Sequence, residues 1–175
     1  AQINDARLTV GTYFRAGLHA FIFSDGVLQY PIDYPGSTGT QLRSLNNSGT
    51  AVGFTIIVGA NGQEVKHGLL MNGDGLQLVD YPGARETTLD VINDLGVIAG
   101  TYIDEFGLGK YFTFNNGIFK TIEKQLGGIT TIDAINNKGI ISGATNNLNN
   151  TYYIKTKNNQ LKIYSTPIQV RSAII

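Results

Sequence analysis

The amino-acid sequence predicts an all-β fold: a four-bladed β-propeller of four-stranded antiparallel blades, with the last blade shared between the N- and C-terminal segments. Three observations lead there. A nine-residue motif recurs along the chain at a spacing in the range of propeller blades. Turn dipeptides cut the intervening sequence into short β segments. No stretch keeps apolar residues at the i, i+3, i+4, i+7 spacing of an amphipathic helix over three turns.

The motif is apolar-Asn-Asn/Asp-x-Gly-x-apolar-x-Gly. It reads Leu45-Asn46-Asn47-Ser48-Gly49-Thr50-Ala51-Val52-Gly53, returns as Ile92 to Gly100 and Ile135 to Gly143, and opens the chain in degraded form as Ile3 to Gly11. The leading asparagines Asn4, Asn46, Asn93 and Asn136 stand 42, 47 and 43 residues apart. Each unit then resolves into strands. The first is aromatic or apolar: Ala20–Phe23, Gly68–Met71, Tyr111–Phe114 and Tyr152–Lys155. Asp25-Gly26, Asp74-Gly75, Asn116-Gly117 and Asn158-Asn159 follow, dipeptides that tolerate the positive φ of two-residue hairpin turns. The second strand runs through Val27–Ile32, Leu76–Val79, Ile118–Ile122 and Leu161–Tyr164. A Gly/Pro loop leads to a third strand ending at the Asn turn, and the Gly-apolar-apolar-x-Gly stretch is the fourth.

The repeats so drawn are approximately 18–54, 67–102, 110–145, and 151–175 completed by 1–13. Read on from residue 175 to residue 1, Asn4 falls 43 residues after Asn136, so a ring of four units closes on the repeat period. Closure removes the unpaired strand edges that otherwise template aggregation. Two other arrangements suit the same pattern: the tail of one molecule completing the blade of the next in a filament, or a piece of a longer array.

Composition bounds the function. The chain has 175 residues, 13 Lys+Arg against 13 Asp+Glu, and no Cys. Zero net charge argues against a general nucleic-acid binder. The longest apolar runs, Ala20–Phe23 and Phe54–Val58, fall far short of a membrane-spanning helix. Lack of Cys excludes thiol catalysis and cysteine metal sites.

Gly17-Leu18-His19-Ala20-Phe21-Ile22-Phe23-Ser24-Asp25-Gly26 carries a His-Ala-Phe tripeptide before an apolar strand and a Gly turn. With the Asn-Asn-x-Gly and Val-Gly signals it resembles the extracellular HAF-repeat family of bacterial proteins. The resemblance covers nearly the whole chain; in the other units His67-Gly68-Leu69, Lys110-Tyr111-Phe112 and Thr151-Tyr152-Tyr153 stand in place of the tripeptide. It implies an exported, β-rich, secreted or cell-surface protein and brings no established catalytic residues. The Ala1-Gln2 start suits a mature end left by signal cleavage.

His19 and His67 share one repeat position, but Lys110 and Thr151 take it in the other units, which leaves no closed zinc set. The repeat asparagines read as turn formers, and Gly11, Gly53, Gly100 and Gly143 as points of close approach or bulges. Asp33, Asp80 and Glu123 each lie 13 residues before a repeat Asn, which gathers them at one mouth of the channel. No cofactor is expected; Ca2+ is the ion such an oxygen ring would take. Tyr34 and Tyr81 offer flat faces to a sugar or a protein. The connections Thr55–Lys66, Ile103–Gly109 (with Asp104 and Glu105) and Asn146–Asn150 vary in length, as specificity loops do.

No Gly-x-Ser-x-Gly, Gly-Lys-Ser/Thr, HExxH or dinucleotide fingerprint occurs. The expected function is a non-enzymatic extracellular binding or surface-assembly protein. Its ligand residues would be Asp33, Tyr34, Asp80, Tyr81, Glu123 and Asp104, presented to a glycan, a protein or a neighbouring subunit. Two alternatives stand beside it: a structural subunit of a cell-surface filament joined by strand exchange, and a carbohydrate-active enzyme using Asp104, Glu105 and Glu123 as its loop carboxylates.

Overall fold

The computed structural model describes residues 1–122, 129–145, 150–157 and 160–167, and all regular structure among them is β-strand. The strands form four consecutive sets of four. The first holds β1 (Gln2–Ile3), β2 (Thr9–Phe14), β3 (Leu18–Ser24) and β4 (Val27–Ile32). The second holds β5 (Gly39–Leu45), β6 (Ala51–Val58), β7 (Glu64–Asn72) and β8 (Gly75–Leu78). The third holds β9 (Glu86–Ile92), β10 (Ile98–Ile103), β11 (Gly109–Asn115) and β12 (Ile118–Ile122). The fourth holds β13 (Ile129–Ile135), β14 (Ile140–Thr145), β15 (Asn150–Lys157) and β16 (Gln160–Pro167). Within each set the strands pair in chain order as an antiparallel meander. One parallel bridge, Leu18 to Gly39, joins the first two sets into a single sheet. Every sheet is open, and none closes on itself among the described residues.

The all-β class follows the sequence; the division of the repeat does not. The sequence reading opens each unit at the hairpin, whereas the pairing opens it at the strand that leads into the Asn turn. β6 pairs with β7 from Ala51↔Met71 to Val58↔Glu64, while β8 and β9 share no ladder. The reason lies in the Asp80-Tyr81-Pro82-Gly83 link. Pro82 has no amide hydrogen to give to a ladder, and Gly83 stands at φ 76°, so the chain leaves one sheet there and begins the next. By the same division β15 pairs with β14, and the segment from 150 to 167 finds its strand neighbours within the fourth set.

The second and third sets grade from a buried first strand to an exposed fourth: β9 is buried from Thr87 to Ile92, and β12 is mostly exposed. Successive sets pack through their inner strands, β5 on β9 and β9 on β13. The core is therefore a row of clusters, not one mass. Val10, Leu42, Leu45 and Leu69 fill the first; Val52, Leu89, Ile98 and Phe112 the second; Val91, Ile132 and Ile141 the third. In such an array each unit depends on its neighbours for burial.

A β-bulge recurs between the first and second strands of the last three sets, at Arg43, Asp90 and Asp133. The motif's final glycine faces it. A Cβ at Gly53 would run into the Gln41 carbonyl oxygen, at Gly100 into that of Thr88, and at Gly143 into that of Thr131.

The Asn turns do more than turn. Asn46 Oδ1 accepts from Thr50 N (2.9 Å) and Asn93 Oδ1 from Val97 N (2.9 Å), the local role read in the sequence. Their Nδ2 groups reach the following set. Asn4 donates to the Asn46 carbonyl (3.1 Å), Asn46 to that of Asn93 (3.2 Å), and Asn93 to that of Asn136 (2.9 Å). A second rung runs alongside, where the amides of Asp5, Asn47 and Asp94 donate to the side chains of Asn47, Asp94 and Asn137. Acid and amide alternate along this rung, so each carboxylate meets a carboxamide donor: Asn47 Nδ2 lies 2.8 Å from Asp5 Oδ2, and Asn137 Nδ2 lies 3.1 Å from Asp94 Oδ2.

Candidate functional site

Antiparallel alternation sorts the connections to two ends. The Asn turns and the β7–β8 and β11–β12 hairpin turns lie at one. The β6–β7 and β10–β11 loops and the links between sets lie at the other, and the residues nominated from the sequence fall there.

Asp33 and Asp80 occupy equivalent places after β4 and β8, and each is held by a histidine of its set's third strand. His19 Nδ1 is 2.8 Å from Asp33 Oδ2, and His67 Nδ1 is 2.8 Å from Asp80 Oδ2. His19 Nε2 also faces the Arg15 carbonyl (3.2 Å), and Asp80 Oδ1 accepts from Gly68 N (3.0 Å). Asp33 Oδ1 is buried with no hydrogen-bond partner. The pairs brace the links between sets against the β3 and β7 strands. The signal for them was in the sequence: both histidines and both acids hold repeat positions, 14 and 13 residues apart.

Lys110, at the equivalent of the histidines, turns instead to Asp104 (Nζ to Oδ2, 2.8 Å). Asp104 closes the β10–β11 turn by accepting from Phe106 N (3.0 Å) and Leu108 N (2.8 Å). The Lys110 bond, then the Leu108 amide, hold its carboxyl below the ordinary value, and the Asp104 bond raises the Lys110 ammonium. Glu123 lies outside the described residues. Among the described residues no three His, Cys, Asp or Glu side chains gather as a metal group.

The tyrosines turn inward. Tyr34 packs on the first core cluster. Tyr81 stacks on Tyr102 at 3.8 Å and 4°, meets Phe119 edge-on at 5.3 Å, and its hydroxyl lies 2.6 Å from Thr121 Oγ1. The ring face read as a ligand platform is spent on Tyr102. Among charged and polar residues such as Arg15, Glu64, Lys66 and Glu105, this end also exposes large apolar side chains: Phe14 (81% exposed) at the end of β2, Val58 (46%) at the end of β6, and Phe106 (77%) and Leu108 (55%) in the β10–β11 loop.

Two further features were not read from the sequence. The bulge residues of neighbouring sets meet as an ion pair, Arg43 Nη1 with Asp90 Oδ1. Burial pushes the Asp90 carboxyl up to about 6, against the pull of Arg43, and burial followed by the Asp90 charge pushes Tyr111 up to about 12. At the Asn-turn end an open groove of about 450 Å³ lies between the second and third sets, lined by Ser48, Thr50, Asn72, Leu95, Phe114 and Asn116 among others. It needs two sets to exist, so no single motif announces it.

Against known protein families and curated protein sequences, the chain matches none.

Proposed function

We propose that the chain is a non-enzymatic binding or assembly module of an extracellular or cell-surface protein, presenting the loop end of its repeats to a partner. One observation carries this reading: Phe14, Val58, Phe106 and Leu108 stand exposed at corresponding strand ends and loops in three successive sets. Large apolar side chains left exposed on a braced scaffold are candidates for an interaction surface. Asp33, Asp80 and Asp104 contribute by bracing the loops at this end, through His19, His67 and Lys110. Export rests on the HAF-repeat resemblance. The test pairs sedimentation velocity with a glycan array, for the wild type and for a variant carrying Phe14→Ser, Phe106→Ser and Leu108→Ser. Self-association or glycan binding that the triple variant loses supports the reading. A wild type that does neither, or a variant that behaves like it, defeats it.

A ring with a shared blade is the finer form of this proposal. β1 covers only Thr9 and Val10 of β2, and Gly11–Phe14 have no strand on that edge among the described residues. Gln169-Val170-Arg171-Ser172 repeats the pattern of Gln41-Leu42-Arg43-Ser44, the segment that covers β6. Placed by analogy with Gln41↔Phe54 and Leu42↔Gly53, Gln169 and Val170 would face Thr12 and Gly11, the chain leaving the edge before Val10, which pairs with Gln2. A Thr12→Cys, Gln169→Cys chain that oxidises within one molecule supports closure. Dimers and polymers favour strand exchange, and no cross-link counts against both.

A further inference from the structure

We propose that the groove between the second and third sets is a binding site for a neutral saccharide, at the opposite end of the strands from the loop surface and independent of it.

The groove is opened by particular residues rather than by the repeat as such. At the junction of the first and second sets, Leu8 occupies the position four residues after the leading Asn. Its Cδ2 comes within 3.7 Å of where a Cβ on Gly49 would sit. At the next junction Thr50 holds the Leu8 position and Gly96 the Gly49 position, and nothing lies within 4 Å of a Cβ built on Gly96. Both residues line the groove. A shorter, hydroxyl-bearing side chain thus replaces the plug, and Ser48 likewise stands where the first repeat has Ala6.

The lining selects the ligand. It contains no Lys, Arg or His. Its one carboxylate, Asp94, already accepts from Asn47 N and Asn137 Nδ2, so an anion would be repelled and a cation would find a single carboxylate, with no second acid in the lining and no metal-ligating group of three side chains among the described residues. The remaining polar groups are neutral. Asn72 uses its Oδ1 on Asp74 N (2.9 Å) and keeps its NH2. Asn116, held at φ 47° in its turn, uses its carboxamide on no described residue. Phe114 and the exposed Leu95 supply apolar surface beside them. Hydroxyls along an edge and C–H groups on a face are what these groups complement together. The volume of about 450 Å³ is within the ~300–1,000 Å³ usual for small-molecule sites.

The test uses saturation-transfer NMR on the whole chain. The probes are glucose, galactose, mannose and N-acetylglucosamine, with cellobiose, lactose and chitobiose. At least one probe should receive saturation and show a measurable Kd. Thr50→Leu, which restores the side chain the first junction already accommodates, should weaken that probe about tenfold or more. Asn116→Gly, which keeps the left-handed backbone and removes the amide, should weaken it severalfold. The loop-end triple serine variant should bind the probe unchanged, which separates this site from the loop reading. Failure of every probe overturns the proposal. So does binding that survives both groove variants, or that the loop variant alone abolishes.

Discussion

Replacing Asp90 by asparagine should change how stability depends on pH, and the structure sets the size of the effect. The Asp90 side chain is 4% exposed and pairs with the half-exposed Arg43. Burial moves its carboxyl from 3.8 to about 6. At ~1.4 kcal/mol per pH unit, that displacement corresponds to about 3 kcal/mol between the protonated and ionised folded chain. Because the folded value lies above the ordinary one, the folded chain keeps a proton that the unfolded chain has lost between about pH 4 and about pH 6. The contribution is full below that window, falls as pH rises through it, and is level above. An asparagine carries no such proton, and Arg43 can turn to water. Urea unfolding of both proteins at about pH 3.5 and about pH 7.5 should show the Asp90→Asn variant gaining about 3 kcal/mol on the wild type between the two. A difference between the proteins that stays constant to within about 0.5 kcal/mol across this range would refute the argument.

Two other substitutions probe the repeat. Gly100→Ala drives a Cβ into the Thr88 carbonyl and the Phe112 ring and should cost about 1–3 kcal/mol or more in urea unfolding. Gly109→Ala, whose Cβ would meet only Ile103 Cδ1 at 3.8 Å, should stay within about 0.5 kcal/mol of wild type. Asn93→Asp keeps the oxygen that closes the turn on Leu95 and Val97 but sets a second oxygen against the Asn136 carbonyl. It should cost at least about 1–3 kcal/mol, where a side chain with only a turn role would lose little.

The repeat motif made the β class and the four-strand period legible, because Asn-Asn/Asp-x-Gly turns and hairpin dipeptides have fixed backbone demands. The sheet boundary was less legible: the sequence marks every turn, but not whether the strands on either side of it pair. The Pro35-Gly36 and Pro82-Gly83 links carry that information, as missing donors. At the site, Asp33 and Asp80 read as ligand acids at a channel mouth because their spacing to the repeat asparagines says nothing of His19 and His67, which hold them. Tyr81 was read as exposed because Tyr102, Phe112 and Phe119, which surround it, lie 21 to 38 residues away along the chain. The asparagine ladder was half legible. A side-chain oxygen closing its own turn is local chemistry, whereas its Nδ2 partner lies a full repeat away.

The claim that each set is locked to the next through that ladder is tested most directly by hydrogen exchange of the asparagine carboxamides, followed by NMR. The account predicts that the Nδ2 protons of Asn46 and Asn93 exchange slowly and show nuclear Overhauser contacts to the turns of the following sets, while those of Asn116 exchange freely. Asn46 and Asn93 exchanging as fast as Asn116, with no contact beyond their own turns, would contradict it.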